Sequence, residues 1–228
     1  MGKVDFDRFA EDYDEILGKQ LRFFESGPDY FAHYKAAIVK NLLRHDPVKI
    51  LEFGCGIGNN IKHLTSLFPN AAITGCDISK KCLDIATTRN PAAAFFHFDA
   101  DSLPAESLFD LIFIANVFHH ILPDKRNTTM RILKRLIAPK GELFVFEHNP
   151  YNPITLHLVT TCPFDGDAQL LKPKEMTSLL TNEGFSIIRK HFILFFPSAL
   201  SFFRPIERYL AFLPLGGQYV IQAHIDEG

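Results

Sequence analysis

Apolar residues recur in two alternating patterns as far as Asn149. Short runs that are apolar almost throughout predict strands at 48–53, 71–77, 93–99, 109–116 and 141–149. Helical spacing predicts helices at 59–68, 79–89 and 125–137, at about 30–44, and around Phe6, Phe9, Tyr13 and Ile16. Strands that are apolar on both faces and alternate with helices predict an α/β fold, with a parallel sheet covered on both sides.

The pattern changes after Asn149. A long stretch of irregular sequence precedes a helix at 173–184 and a strand at 185–193, and an aromatic-rich segment then leads to a last strand at 218–226. No repeat or low-complexity linker divides the chain. We therefore predict one domain, 1–228, with N-terminal helices in 5–45 and insertions at about 150–170 and 193–216, which are long enough to be functional.

Composition narrows the function classes. The formal net charge of −2 gives no general attraction to nucleic acid. The N-terminus is acidic and lacks an apolar core segment, so we expect no leader peptide. The four cysteines show no paired zinc spacing, and reduced thiols in a cytoplasmic protein are the simplest interpretation.

Three glycines follow the first strand and precede a helix: Gly54, Gly56 and Gly58. A dinucleotide-binding turn would need a further glycine at position 59 or 61, which hold Asn59 and Ile61. Glu52 also argues against a diphosphate, because a carboxylate beside such a turn suits a cationic group. The predicted ligand therefore has a positively charged end.

Carboxylates end the next two strands. Asp77 is placed to accept hydrogen bonds from both hydroxyls of a ribose, although it could instead cap the next helix, a role that suits Ser79 better. Asp99 and Ala100 end the third strand, where a side-chain acceptor and a backbone N–H suit an adenine edge. A cationic head, a ribose and an adenine together indicate S-adenosylmethionine, with S-adenosylhomocysteine as product.

Four motifs, "LEFGCGIG", "GCDIS", "FDADSLP" and "FDLIFIANVFHHI", resemble successive motifs of the class I S-adenosylmethionine-dependent methyltransferases. The chain is most similar to small-molecule methyltransferases of the kind that includes quinone C-methyltransferases, and "FDRFAEDYDEI" resembles their cofactor-covering helix. The resemblance implies a Rossmann-like, doubly wound sheet of order 3-2-1-4-5-7-6 with the last strand antiparallel. It also implies that the following residues contact the cofactor: Glu52, Gly54, Asp77, Ile78, Asp99, Ala100 and Asn116. We add Ala115, Gly56 and Gly58 to this set.

An oxygen or carbon acceptor must lose a proton, which calls for a base within reach. The ends of the fourth and fifth strands offer His119, Glu147 and His148 as catalytic candidates. Strand alternation places Glu147 and Asn149 on one face and His148 on the other. Of the adjacent pair His119 and His120, one is expected to point away from the site, as neighbours on a helix do.

We predict no metal, because Asp165 and Asp167 flank Gly166 without a complete calcium-loop pattern and suggest a solvated turn. Two rival functions remain open: an NAD-dependent oxidoreductase, and a cofactor-binding partner subunit without catalysis. The missing third glycine opposes the first.

The aromatic segment after the sixth strand is interrupted by Pro197 and is too short to span a bilayer. Its rings would pack in the core, form a dimer contact or cover the active site. A lid of Phe202 and Phe203 edged by Arg204 and Arg208 predicts a small acceptor that is apolar or lipid-linked, reached by transient contact with a membrane surface. The chain would act as a monomer or a homodimer.

Overall fold

The computed structural model describes residues 4–21, 27–99 and 108–225. The strands are β1 (Lys49–Phe53), β2 (Ala72–Asp77), β3 (Ala94–His97), β4 (Phe109–Ala115), β5 (Ile137–His148), β6 (Phe185–Ile193) and β7 (Gln218–Ile225). The helices are α1 (Tyr13–Leu21), α2 (Pro28–Leu42), α3 (Ile61–Leu67), α4 (Lys80–Arg89), α5 (Pro123–Leu136), α6 (Pro153–Thr161), α7 (Pro173–Asn182) and α8 (Arg204–Leu210).

All seven strands form one sheet in the order β3-β2-β1-β4-β5-β7-β6. The first five strands pair in parallel, and β7 runs antiparallel to both of its neighbours. The predicted sheet order and the antiparallel last strand are confirmed. The order reverses between β1 and β4, and the carboxyl ends of strands at such a point are where open α/β sheets bind ligands.

Successive residues of the central strands point to opposite faces of the sheet, and each face has its own core. On one face, Leu51, Ile112 and Val145 belong to a cluster that also contains apolar residues of α5 and α7. On the other, Ile50 and Phe113 cluster with apolar residues of α2 and α3. This two-sided burial explains why the strands read as continuous apolar runs.

Two regions differ from the prediction. The helical spacing that begins at Phe6 does not give one helix: Phe6–Arg8 form a 3-10 turn, and α1 begins only at Tyr13. The predicted irregular insertion contains α6, because Asn152 accepts hydrogen bonds from the N–H groups of Ile154 and Thr155 at the helix start. Proline at the first helical position supports the same start.

The β6–β7 connection (residues 194–217) contains a 3-10 segment, Ser198–Phe203, followed by α8. Its ends are held close to β6, where Gly217 N donates to Leu194 O at 3.0 Å and Phe192 N to Ala211 O at 2.7 Å. Within the described part of the chain, no helix has both the length and the apolar character needed to cross a bilayer.

Candidate active site

A cavity of about 550 Å³ opens at the carboxyl ends of β1, β2 and β4. This volume is in the range of small-molecule sites. Eight of the predicted site residues line it: Gly54, Gly56, Asp77, Ile78, Ala115, Asn116, His119 and His148. Glu52, Gly58 and Glu147 lie behind the lining, Asp99 is exposed outside it, and Ala100 falls outside the described residues.

The glycine turn brings backbone close to the cavity. All three glycines have positive φ, and a Cβ at Gly54 would lie 2.5 Å from Val117 Cγ2. The turn is fixed to the next strand because Gly56 N donates to Asp77 Oδ2 at 2.8 Å, and Gly54 N donates to Cys76 O at 2.8 Å. Only glycine suits position 54, where both φ and the close neighbour exclude a side chain.

Glu52 is buried behind this turn with one oxygen unpaired. Its Oε1 accepts a hydrogen bond from Asn60 Nδ2 at 2.6 Å, whereas no described group bonds Oε2. Burial raises the pKa of Glu52 to about 8, against the opposing effects of Asn60 and Lys35. A buried carboxylate oxygen without a donor is costly, so this position suits a ligand that brings a cation or an N–H group.

Lys35 of α2 lines the same cavity although its side chain is largely buried. Burial lowers its pKa to about 8, and the carboxylates of Glu52 and Glu147 oppose that shift. The ammonium group and Glu52 thus offer complementary charges to the two ends of an amino-acid group. Sequence reasoning missed Lys35, because a lysine in an amphipathic helix normally indicates the solvent face.

Asp77 combines a structural role with open acceptor capacity. Besides the bond from Gly56, its Oδ1 accepts from Ser79 N at 2.9 Å. Burial raises its pKa, and the backbone N–H groups partly offset the effect. Ser79 is the N-cap of α4, with its hydroxyl accepting from Cys82 N at 3.1 Å. Asp77 does not cap the helix and faces the cavity, where its remaining lone pairs can accept from a ligand.

Asn116 follows β4 in a left-handed conformation with φ of 58°. Its N–H donates to Phe146 O at 2.8 Å, which fixes the turn, while its Oδ1 is buried without a partner among the described residues. A left-handed asparagine with an unpaired buried oxygen at a cavity wall is typical of a ligand site.

The N-terminal segment covers the cavity. Phe6, Tyr13 and Leu17 line it, and the ring of Tyr13 stacks on that of Phe164 with centroids 4.7 Å apart. Ser79 Oγ bonds Asp7 Oδ1, which joins the segment to the start of α4. The segment therefore closes over the glycine turn and Asp77.

Glu147 holds the turn after β4 and does not face the cavity. Its Oε1 accepts from Val117 N at 3.0 Å and Phe118 N at 2.7 Å, and its Oε2 lies 2.6 Å from His119 Nδ1. Burial alone would lower the pKa of His119, but Glu147 and Asp165 raise it to about 9. Since every oxygen of Glu147 is engaged, its carboxylate positions His119.

His119 and His120 do not diverge as expected. They lie in a 3-10 turn, Phe118–His120, and both Nε2 atoms approach Asp165 Oδ1, at 3.5 Å and 3.4 Å respectively. His120 Nδ1 also bonds Asp167 Oδ1 at 3.0 Å. The expectation of a solvated turn at Asp165 and Asp167 was wrong, because the turn folds against the two imidazoles and is largely buried.

His148 lines the cavity on the face opposite Glu147 and Asn149, as strand alternation predicts. Burial lowers the pKa of His148 to about 4, and nearby His119 adds to the shift. No described group hydrogen-bonds its imidazole, whose ring centroid lies 5.1 Å from that of His119. Of the three histidines that line the cavity, His148 is the one that pairs with no described group, and its lowered pKa keeps the imidazole neutral at pH 7.

The β6–β7 connection forms the far wall of the cavity through Leu194, Phe196 and Pro197. Phe202 and Phe203 are outside that wall and are exposed by 68% and 38%. The predicted aromatic lid is thus divided, with some rings facing the cavity and others facing solvent.

Arg204 and Glu207 anchor this wall. The Arg204 guanidinium lies 4.0 Å above the Tyr30 ring, and Glu207 accepts hydrogen bonds from the N–H groups of Phe195 and Phe196 at 3.1 and 3.2 Å. Glu207 also accepts from the hydroxyl of Tyr34 in α2. One buried carboxylate therefore ties the connection to α2.

Asn149 fastens the other end of the connection. Its Nδ2 donates to Pro214 O at 3.1 Å and to Gly216 O at 2.7 Å. A Cβ at Gly216 would lie 2.4 Å from Ile193 O, so this position accepts only glycine. The Asn152 side chain donates to Leu215 O at 2.6 Å and strengthens the attachment.

Known proteins share this architecture and these motifs. A family described as a methyltransferase domain matches residues 50–141. A demethylmenaquinone methyltransferase of Thermotoga maritima is 29% identical over 206 residues, which cover 80% of this chain and 86% of that protein. A trans-aconitate 2-methyltransferase of Methylobacterium nodulans is 39% identical over 99 residues, or 43% of this chain and 38% of that protein.

Solved structures agree on the fold. A methyltransferase from Thermotoga maritima superposes with a TM-score of 0.69 at 18% identity and covers 97% of this chain and 98% of that one. Magnesium protoporphyrin IX methyltransferase from Synechocystis, with bound SAH, superposes with a TM-score of 0.63 at 16% identity. The match covers 99% of this chain and 90% of that one. The domain match, the relatives and the shared fold support an S-adenosylmethionine-dependent methyltransferase similar to those of class I.

Proposed function

We propose that the chain binds S-adenosylmethionine at the glycine turn and transfers its methyl group to a small apolar acceptor held against the β6–β7 connection. The observation that carries the cofactor half is the pair of buried, unpaired oxygens, Glu52 Oε2 and Asn116 Oδ1, at the ends of β1 and β4. An amino-acid group would supply donors to such oxygens and remove the cost of burying them.

Different residues would bind different parts of the cofactor. Glu52 suits the ammonium group, Lys35 the carboxylate, and Asp77 the ribose hydroxyls, with Ile78 beside the adenine. When bound, the cofactor supplies a methyl group on a positively charged sulfur that leaves as a neutral thioether. The protein's main task is then to align the acceptor and exclude water, which the N-terminal segment does by closing the cavity.

His148 is the group we assign to the acceptor's proton. It lines the cavity and its imidazole has no hydrogen-bond partner among the described residues. Glu147 is assigned to positioning, because its oxygens are occupied by Val117, Phe118 and His119.

An apolar acceptor is supported by the far wall, where Leu194, Phe196 and Leu158 face the cavity. The cavity lining also contains two buried polar atoms without partners among the described residues, Tyr30 Oη and Gln218 Oε1. They suit an acceptor with one polar group on an apolar body. The relative named for demethylmenaquinone agrees with this choice, whereas the relative named for trans-aconitate does not.

The test is an untargeted methylation assay. The enzyme is incubated with methyl-labelled S-adenosylmethionine and with separated lipid and polar metabolite extracts, and the labelled products are identified by mass. We expect label in the lipid-soluble fraction. Label confined to small polar metabolites would overturn the apolar acceptor, and failure to bind S-adenosylmethionine would overturn the cofactor assignment.

A further inference from the structure

Three donor atoms converge on one point of the cavity wall. His119 Nε2 and His120 Nε2 lie 3.5 Å and 3.4 Å from the same oxygen, Asp165 Oδ1. Each of the three residues offers one ligand atom within 4.8 Å of the other two. His119 is 1% exposed, and all three side chains line the cavity.

Both imidazoles are held by carboxylates on their other nitrogen. His119 Nδ1 bonds Glu147 Oε2 at 2.6 Å, and His120 Nδ1 bonds Asp167 Oδ1 at 3.0 Å. These carboxylates are themselves fixed, Glu147 by two backbone N–H groups and Asp167 by Val4 N at 2.8 Å. Carboxylate–histidine pairs of this kind orient metal-binding histidines and fix their tautomer.

The fixed tautomer leaves a charge to be supplied. A carboxylate accepts hydrogen bonds, so each Nδ1 carries the hydrogen, and the Nε2 of each neutral imidazole presents a lone pair. Two lone pairs and a carboxylate oxygen then face one another, an arrangement that is unfavourable unless positive charge lies between them. One metal ion bound to all three atoms would supply that charge.

We propose that His119, His120 and Asp165 bind a divalent transition-metal ion. Metal–ligand bonds of about 2.0–2.2 Å in a tetrahedral site place neighbouring donors roughly 3.3–3.6 Å apart, which matches the separation of each Nε2 from Asp165 Oδ1. Two imidazoles with one carboxylate favour zinc, iron, manganese, cobalt or nickel over magnesium and calcium, which prefer oxygen ligands.

Three protein ligands leave at least one coordination position open to the cavity. An acceptor hydroxyl bound there would lose its proton more readily, because the metal stabilises the oxyanion. This assignment of the open position rests on the proposed methyl transfer. The metal site itself does not, and it is measured without any acceptor.

The first experiment titrates the chelator-treated full-length chain with Zn²⁺ alone in a calorimeter, and with Co²⁺ alone by visible absorption. We expect one ion per chain, and a Co²⁺ spectrum of nitrogen and oxygen ligation. Asp165→Asn removes a ligand with little change of shape and should lower Zn²⁺ affinity at least 100-fold. Asp167→Asn leaves all three ligands and should lower it about 10–100-fold through the orientation of His120.

Two variants serve as controls. His157→Ala removes an exposed histidine of α6 outside the cavity lining and should leave the affinity unchanged. Cys162→Ser replaces the thiol that lines the same cavity and bonds Asp165 by a hydroxyl that keeps this contact, and it should leave the affinity unchanged. Melting temperature and S-adenosylmethionine affinity, measured on every variant, establish that each is folded.

Absence of Zn²⁺ and Co²⁺ binding by the wild-type chain would overturn the site. Equal affinity in a folded Asp165→Asn variant, or loss of binding in Cys162→Ser alone, would overturn it as well. Chelation should also abolish methyl transfer while leaving S-adenosylmethionine affinity intact. Full activity of the chelated enzyme would overturn the role at the acceptor and leave the metal site standing.

Discussion

Ser79 Oγ donates a hydrogen bond to Asp7 Oδ1 across 72 positions of the chain. The same hydroxyl caps α4 by accepting from Cys82 N, directly after the strand that ends in Asp77. One serine side chain therefore ties the N-terminal segment to the start of α4, and we expect opening of the segment to accompany release of a ligand from the cavity.

Asp7→Ala should increase the dissociation rate of S-adenosylmethionine about fivefold, because it removes the acceptor of the Ser79 hydroxyl and of a longer hydrogen bond from Lys81 N at 3.3 Å. Stopped-flow displacement by excess S-adenosylhomocysteine measures this rate. Glu11→Ala is the matched control, because Glu11 is an exposed carboxylate of the same segment. Equal rates in the two variants would show that the contact does not hold the segment closed.

Asp77→Asn should weaken S-adenosylmethionine binding by about 1.5–3 kcal/mol, since it removes the charge that strengthens hydrogen bonds to the ribose. Asparagine retains an oxygen for the N–H groups of Gly56 or Ser79, so the unliganded fold should persist. Calorimetry measures the affinity, with the exposed Asp84→Asn on α4 as control. Unchanged affinity in Asp77→Asn would remove the ribose assignment.

The melting temperature of the wild-type chain tests the choice of cofactor. S-adenosylmethionine should raise the melting temperature and NAD should not.

Binding of S-adenosylmethionine at pH 7 should release a proton. Burial raises the pKa of Glu52 to about 8, so its carboxyl group is mostly protonated in the free enzyme, whereas a bound ammonium group favours the carboxylate. Lys35, with a pKa of about 8, and Asp77 also act on Glu52, but Lys35 is already mostly charged at pH 7. Calorimetry in buffers of different ionisation enthalpy counts the protons.

Glu52→Gln is the control for this release and should abolish it. The sign of the stability effect follows from the same pKa. A raised folded-state pKa makes the wild-type chain lose stability as pH rises from about 4.5, the unfolded value, to about 8. The melting temperature of Glu52→Gln should therefore exceed that of the wild type by a margin that grows as pH rises across that interval. A difference in melting temperature that does not change with pH would contradict the assignment.

His148→Gln should lower the turnover number about 10²–10⁴-fold, the range expected for one general base. The affinity for S-adenosylmethionine should stay within twofold of the wild type, since His148 is not among the groups assigned to the cofactor. Single-turnover kinetics with the identified acceptor separate the chemical step from binding. A loss of activity fully accounted for by weaker cofactor binding would make His148 structural.

Phe202→Ser with Phe203→Ser should reduce binding to lipid vesicles and raise the KM for an acceptor presented in them. Both rings are exposed, so the double variant should remain folded. Val48→Ser removes an apolar side chain that is 66% exposed beside the amino end of β1 and serves as control. If the control and the double variant bind vesicles equally, these rings serve another contact.

Local patterns predicted the fold well because the central strands are largely buried on both faces and read as apolar runs. The edge strand β6 was also predicted to the residue, at 185–193. The helix at Pro153 was missed, since prolines and asparagines in "PYNP" indicate a turn as strongly as a helix start. The cofactor side was predictable because its residues follow directly after apolar strands.

The acceptor side was less predictable because its geometry depends on distant segments. Adjacent histidines diverge on an α-helix, but the 3-10 turn brings His119 and His120 together. Asp165 meets them because the segment 165–169 folds against this turn, where Gln169 N donates to His119 O at 2.7 Å. No local spacing encodes such a contact.

The attachment of the β6–β7 connection bears on how such enzymes diversify. The side-chain amides of Asn149 and Asn152 donate hydrogen bonds to the backbone carbonyls of residues 214–216. This attachment therefore does not depend on which side chains stand at positions 214 and 215. Only the glycine at 216 is demanded by shape. A different sequence placed between Ile193 and Gln218 that keeps this glycine would be attached by the same hydrogen bonds. The residues that contact the acceptor can then change while the cofactor-binding half of the protein stays the same.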